Sequence, residues 1–171
     1  MKIKIVYDRK NLIEELSVIK KMLPHFKKNK MYFYFPFDKH NLNEEDYIVA
    51  IIKEDEKNSA LLKKIAELKK RVKIIEKNLS EYIEKNPENV FEIFNEYVCY
   101  VTMYGCYGYY RTPNKIFVNL KDKDIDFHSE TIVHEIAHIL LHKKIKGYPY
   151  EKKEECVDEI VEKIIKNNLN G

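Results

Sequence analysis

The sequence His134-Glu135-Ile136-Ala137-His138 lies inside an apolar stretch that has the spacing of a helix. Residues four apart on a helix lie one above the other, with Cβ atoms about 5–6 Å apart. The two imidazoles can therefore reach one metal ion, and Glu135 can hold a water molecule bound to that metal. This pentad predicts a metal site with hydrolytic chemistry, usually on peptide bonds. The alternative is a surface helix that carries two histidines by coincidence.

A catalytic zinc ion normally has three protein ligands and one water molecule, so a third ligand is expected downstream of the pentad. His142 is one helical turn beyond His138, but Ile139-Leu140-Leu141 should continue the helix and carry His142 about 6 Å further along the axis. We therefore expect His142 to be a helix-end residue, favoured there by the helix dipole, and not a ligand. Gly147-Tyr148-Pro149 then separates this helix from the next.

The next predicted helix begins at about Glu151 and contains two acids four residues apart, Glu154 and Asp158. This spacing lets Glu154 bind the metal while Asp158, one turn later, accepts a hydrogen bond from the N–H of a ligating imidazole. Glu155, which is paired in the same way with Glu159, is the alternative third ligand. Without the preceding pentad, either pair would be interpreted as the solvent-exposed face of a Glu-rich helix.

The pentad followed by Glu154-Glu155-Cys156-Val157-Asp158 resembles the pattern of the gluzincin metallopeptidases, in which His-Glu-x-x-His is followed by Glu-x-x-x-Asp. The flanking residues Ser129–Val133 and Ile139–His142 are similar to the minigluzincins and the IrrE-like regulatory peptidases, which are compact, cytoplasmic and often latent or highly selective. The resemblance covers roughly residues 115–166. It implies one zinc ion per chain with Glu135 as general base and three ligands, His134, His138 and Glu154.

A short strand, Lys115–Leu120, is predicted directly before the pentad helix, for which Ser129 is a candidate N-cap. In gluzincins the strand in this position is the sheet edge above the cleft. The resemblance therefore implies that Phe117, Val118 and Asn119 bind a substrate peptide in extended form, through free backbone N–H and C=O groups.

The longest helical pattern runs from Asn58 to Lys85 and repeats its apolar residues at alternating intervals of four and three, which is a heptad repeat. Its apolar positions are Leu61, Ile65, Leu68, Val72, Ile75, Leu79 and Tyr82. Such a stripe either packs on the chain's own core, the interpretation we favour, or forms a seam for self-association through residues 61–82. Pro87 can begin a further helix, with Val90, Phe91, Phe94, Val98 and Val101 facing inward.

The N-terminal part is predicted as a strand at 2–7, a helix at 11–23 ended by Pro24, and two further strands, Met31–Phe35 and Tyr47–Ile52. No Gly- or Ser-rich linker follows, so we predict a single domain. It comprises an N-terminal strand and helix region at 1–56, long helices at 58–105, and a metal-site core at 115–171. The predicted fold class is α+β, a small zincin-like fold with a short mixed sheet, a backing helix, the pentad helix and a C-terminal helix that carries the glutamate ligand.

The composition sets limits on the function. The chain has 171 residues, of which 44% are hydrophobic, and this is enough for one domain with its own core. Its apolar runs are far shorter than the ~20 residues that span a bilayer, its start lacks a signal-peptide pattern, and its three cysteines are odd in number. We therefore expect a cytoplasmic protein with no membrane partner. A net charge of +3 does not indicate a nucleic-acid partner.

The sequence as a whole predicts a zinc metalloendopeptidase with a peptide or protein substrate. The alternative is a latent or non-catalytic zinc-binding regulatory protein that acts through a protein partner. An open coordination position on the metal favours the enzyme, whereas a fourth protein ligand favours latency.

Overall fold

A computed structural model describes residues 1–35, 44–89 and 92–166. Over these residues the chain has an α+β fold with five α-helices and a four-stranded mixed sheet, which confirms the α+β class and the short mixed sheet of the prediction. In chain order the elements are β1 (Lys2–Val6), α1 (Arg9–Lys28), α2 (Glu44–Asp55), α3 (Ser59–Lys85), β2 (Glu96–Thr102), β3 (Gly108–Arg111), β4 (Lys115–Asn119), α4 (Ile125–Ile145) and α5 (Tyr150–Lys166). Among the described residues, every helix is too short or too polar to cross a bilayer.

The sheet has the strand order β1-β2-β4-β3. Strands β1 and β2 are parallel, as are β2 and β4, whereas β3 pairs with β4 in the antiparallel direction. Because β4 has a neighbour on both sides, the prediction that Phe117, Val118 and Asn119 form the sheet edge is wrong. Residues 112–114 fold β4 back against β3, and β3 therefore takes the edge position.

The heptad stripe of α3 packs in the chain's own core. All seven of its apolar residues are buried, with at most 6% of any of them exposed. They form one hydrophobic cluster with side chains of the sheet, α4 and α5. The helix begins where predicted, since the side chain of Asn58 accepts a hydrogen bond from the backbone N–H of Leu61. The stripe is therefore not available as a seam for self-association through residues 61–82.

Helices α1 and α2 form a second hydrophobic cluster. The predicted strand Tyr47–Ile52 is wrong, because this segment lies within α2. Its residues favour strands by type, but Ile48, Ile51 and Ile52 have helical spacing, and all three are buried on one face of α2. Here the periodicity of burial outweighs the intrinsic preference of β-branched residues.

Helix α1 continues past Pro24 to Lys28, so the predicted stop at Pro24 is wrong. A proline inside a helix removes one backbone hydrogen bond and costs about 3 kcal/mol. Phe26, which follows the proline, is buried in the same cluster as Leu16 and Ile19. Burial of a Phe side chain contributes about 1.5–3 kcal/mol, which offsets much of that cost.

The aromatic segment Met31–Phe35 is not a strand. Tyr34 forms an isolated bridge with Gly105, and the ring of Tyr32 stacks on that of Tyr107 with centroids 3.9 Å apart. Ring stacking therefore accounts for the aromatic residues of this segment, which does not form a hydrogen-bonded strand.

The helix predicted after Pro87 is also wrong. Pro87–Asn89 form a single 3₁₀ turn, and the chain then enters β2, so the predicted helical region at 58–105 is helical only in its first part. Tyr97, Cys99 and Val101 are buried at every second position, which is the period of a strand. Val90 and Phe91 lie outside the described residues.

The polar group Asp55 is buried where α2 meets the segment before β3. Its carboxylate accepts a hydrogen bond from the hydroxyl of Tyr104, while its Oδ2 atom has no hydrogen-bond partner. Burial raises the pKa of Asp55 to about 6, because the charged form loses water without gaining full compensation.

Candidate metal centre

Helix α4, which carries the pentad, begins one turn earlier than predicted. The side chain of Asp124 accepts a hydrogen bond from the backbone N–H of Phe127 at 2.8 Å and caps the helix. Ser129 therefore lies within the helix, and its hydroxyl donates to the carbonyl oxygen of Ile125.

The two imidazoles of the pentad point toward one position. The Nε2 atoms of His134 and His138 lie 3.1 Å apart, as expected for residues four apart on a helix. The other ring nitrogen of His134, Nδ1, lies 3.5 Å from Oδ1 of Asp158. A proton on Nδ1 faces this carboxylate, and the lone pair of Nε2 then faces the shared position.

Helix α5 brings Glu154 to the same position. Its Oε2 lies 3.2 Å from Nε2 of His134, and its Oε1 lies 3.5 Å from Nε2 of His138. The ligand atoms of these three residues all lie within 4.8 Å of one another, which is close enough to hold a metal ion. Glu155, the alternative ligand, is exposed and does not belong to this group.

The protonation state of His138 fits a metal ligand. The pKa of His138 is lowered to about 4, mainly by burial, with His134 and Lys153 acting in the same direction. The imidazole is therefore neutral at pH 7, which is the form that coordinates metals. Two imidazole nitrogens and one carboxylate oxygen form a donor set that suits a divalent metal such as zinc.

Glu135 is buried beside these ligands, with 7% of its surface exposed. Burial raises the pKa of Glu135 to about 8, and repulsion from the Glu154 carboxylate acts in the same direction. A positive charge near the imidazoles would have the opposite effect, because it favours the ionised carboxylate. A cation bound between the two histidines would therefore favour the ionised carboxylate of Glu135.

Strand β3 supplies an aromatic contact to the pentad. The ring of Tyr110 stacks on the imidazole of His138, with centroids 5.2 Å apart and planes 14° apart. Its other neighbour is His142, whose ring meets it edge-on at 6.1 Å. His142 therefore packs against Tyr110 and is not part of the ligand group, as the helical spacing predicts.

Gly108 of β3 lies so close to α4 that a Cβ atom at this position would clash with side chains of the helix. A Cβ atom at this position would be 2.4 Å from Cγ2 of Thr131 and 2.9 Å from Oε1 of Glu135. Carbon atoms in van der Waals contact are about 3.5–4.0 Å apart. The missing side chain therefore lets the edge strand approach Glu135. A glycine within a short aromatic strand was the one signal of this contact in the sequence.

A cavity of about 870 Å³, which we call the metal cavity, opens in front of His134, His138 and Glu154 and extends along β3. Its walls include Tyr32, Tyr107, Phe127 and Tyr150 besides the pentad residues. The three residues predicted to bind substrate do not line it. Phe117 instead stacks on Tyr109 with centroids 4.6 Å apart, and Asn119 donates from its amide to the carbonyl oxygen of Gly105.

No protein-family model, no curated protein and no solved structure gives a significant match to this chain. What the site does must therefore be inferred from its geometry and from the sequence motifs.

Proposed function

We propose that this chain is a zinc-dependent metallopeptidase of the gluzincin type, which hydrolyses peptide bonds. The observation that carries the proposal is the grouping of His134, His138 and Glu154 around one position, with the buried carboxyl of Glu135 beside it. The mixed sheet, the pentad on the helix beneath the sheet edge and a ligand from the next helix together support a zincin-like fold.

Each residue of the site has a distinct proposed role. His134, His138 and Glu154 hold the zinc ion, and Asp158 orients the imidazole of His134. Bound zinc polarises a water molecule and lowers its pKa toward neutral. The carboxylate of Glu135 accepts a proton from the attacking water and later delivers it to the leaving amine.

The substrate main chain is proposed to pair with β3. The backbone N–H of Asn119 donates to the carbonyl oxygen of Tyr107 at 2.9 Å, which sets the alternation of bonded pairs along β3 and β4. By that alternation, the N–H and C=O groups of Gly108 and Tyr110 point away from β4, toward the open side of the strand. The carbonyl oxygen of Gly108 accepts a hydrogen bond from the Cys106 thiol at 3.4 Å. The N–H of Gly108 and the N–H and C=O groups of Tyr110 are therefore the groups proposed to bind an extended peptide beside the metal cavity.

The test is the zinc content of the purified protein, measured together with the cleavage of casein and of peptides. We expect one zinc ion per chain, and cleavage that a chelator abolishes. His138→Ala and Glu154→Ala should lose zinc, whereas Glu155→Ala, a control on the same helix, should keep it. Glu135→Gln should keep zinc and lower turnover by at least about 10²-fold, because the general base is lost.

The outcomes separate this proposal from its alternatives. Absence of zinc would overturn it, and full proteolysis by Glu135→Gln would refute the assigned base. Zinc without cleavage would favour a latent or non-catalytic regulatory protein. Among residues 1–35, 44–89 and 92–166, three protein donors form the group, and a zinc ion held by three donors keeps a position for water. This count favours the enzyme.

A further inference from the structure

A second cavity, of about 440 Å³, lies between α1 and β3. We call it the α1 pocket, and its walls include Val18, Ile19, Met22, Phe26 and Met31. Its volume falls within the range of roughly 300–1,000 Å³ that is typical of ligand-binding pockets. It is separate from the metal ligands, and the proposed chemistry does not use it.

The surface of the α1 pocket is apolar and open to solvent. Val18, Met22 and Met31 are 36%, 39% and 41% exposed, which is unusual for large apolar side chains that lie side by side. The charged residues in its wall pair with each other, since Nη2 of Arg111 lies 3.2 Å from Oε2 of Glu15. The pocket therefore offers apolar contact area and no unpaired carboxylate.

Strand β3 lies between the α1 pocket and the metal cavity. Gly108 and Tyr110 face α4, where they contact Glu135 and His138. Tyr109 and Arg111 face the opposite side, where Arg111 pairs with Glu15 of α1. Both cavities share lining residues of this strand, and Met31 lies where the two meet. A peptide on the open side of β3 would thus border both cavities at once.

We propose that the α1 pocket receives a large apolar side chain of the peptide that pairs with β3. Side chains of an extended peptide alternate between the two faces of a sheet. When one side chain faces the metal cavity, its neighbours therefore face the α1 pocket. This inference rests on the proposed function, and it defines the substrate class as extended segments with a large aliphatic or aromatic residue adjacent to the residue at the metal.

The test measures the binding of labelled peptides to zinc-loaded Glu135→Gln protein by fluorescence anisotropy. The peptides are octamers of Ala and Ser in which each position in turn is Leu, Phe, Ser or Asp. At one position, Leu and Phe should bind about 10- to 100-fold more tightly than Asp, which is the discrimination that an apolar pocket gives. Met22→Asp and Val18→Asp should remove this preference.

Leu62→Asp is the matched control, because Leu62 is 48% exposed on α3 and does not line the pocket. It should keep the preference, and circular dichroism should show that all three variants fold. The inference is overturned if no peptide binds, if no position prefers Leu or Phe, or if Met22→Asp leaves the preference unchanged. Cleavage by the wild-type protein is measured separately. Preferred binding without cleavage would overturn the proposed peptidase and leave the pocket assignment standing.

Discussion

The close approach of Gly108 to α4 predicts that Gly108→Ala is destabilising. The added Cβ would lie 2.4 Å from Cγ2 of Thr131, more than 1 Å inside an ordinary carbon contact. Thr131 cannot turn away freely, because its hydroxyl donates to the carbonyl oxygen of Phe127. Either the helix or the edge strand must therefore shift, and overpacking of this kind costs about 1–3 kcal/mol. Urea unfolding should show a loss of this size in the free energy of unfolding.

Thr131→Ser provides the matched control, because it removes the clashing methyl group and keeps the hydroxyl. In the Gly108→Ala background, Thr131→Ser should restore most of the lost free energy of unfolding. In the wild-type background, Thr131→Ser should lower the free energy of unfolding by about 1 kcal/mol or less. The new Cβ would still lie 2.9 Å from Oε1 of Glu135. The double variant should therefore bind zinc and remain poor in cleavage, so that stability and kcat/KM separate.

Two results would refute this reasoning. A Gly108→Ala protein with wild-type stability and activity would mean that β3 lies further from α4 than described. A double variant no more stable than Gly108→Ala would mean that Thr131 is not the group that clashes. A thermodynamic cycle over the two single variants and the double variant measures the coupling directly, and contacting residues typically give about 0.5–3 kcal/mol.

Three other substitutions test separate contacts. Burial raises the pKa of Asp55 to about 6, so the stability that its protonated form contributes is fully present below about pH 4 and is lost as the pH rises through 6. Asp55→Asn should therefore be more stable than the wild type by about 3 kcal/mol in urea unfolding at pH 8. If the stability of Asp55→Asn has the same pH dependence as that of the wild type, this prediction is contradicted. Tyr110→Leu should weaken zinc binding about 2- to 10-fold in chelator competition, because stacking on His138 contributes about 0.5–1.5 kcal/mol, whereas Tyr110→Phe should not. Asp158→Asn should weaken zinc binding about tenfold, because the carboxylate of Asp158 orients the imidazole of His134. An unchanged zinc affinity would exclude that role.

The ligand group was predictable because its spacing is local. His134 and His138 share a helix face by virtue of the four-residue interval alone, and the same interval places Asp158 one turn beyond Glu154. The two helices are joined by only four residues, 146–149, so they must pack side by side. Local periodicity and one short connection together bring the donor atoms within 4.8 Å of one another.

The sheet edge was not predictable in the same way. Which strand lies at an edge depends on pairings between distant segments, and no local pattern of Phe117, Val118 and Asn119 carries that information. The same limit explains the errors at Met31–Phe35 and Tyr47–Ile52. Both segments contain residues that favour strands. The aromatic side chains of Met31–Phe35 pack in ring stacks, however, and the apolar side chains of Tyr47–Ile52 form the buried face of a helix.

The position of β3 changes what the N-terminal residues contribute. Strand β1 extends the sheet on the side away from the metal ligands, since it pairs with β2 at the opposite edge from β3. Helix α1, in contrast, faces β3 across the α1 pocket, where Glu15 forms an ion pair with Arg111. In the proposed binding mode, in which a peptide pairs with β3, α1 forms one wall of the groove. Residues far from the pentad in sequence would then help to select the substrate.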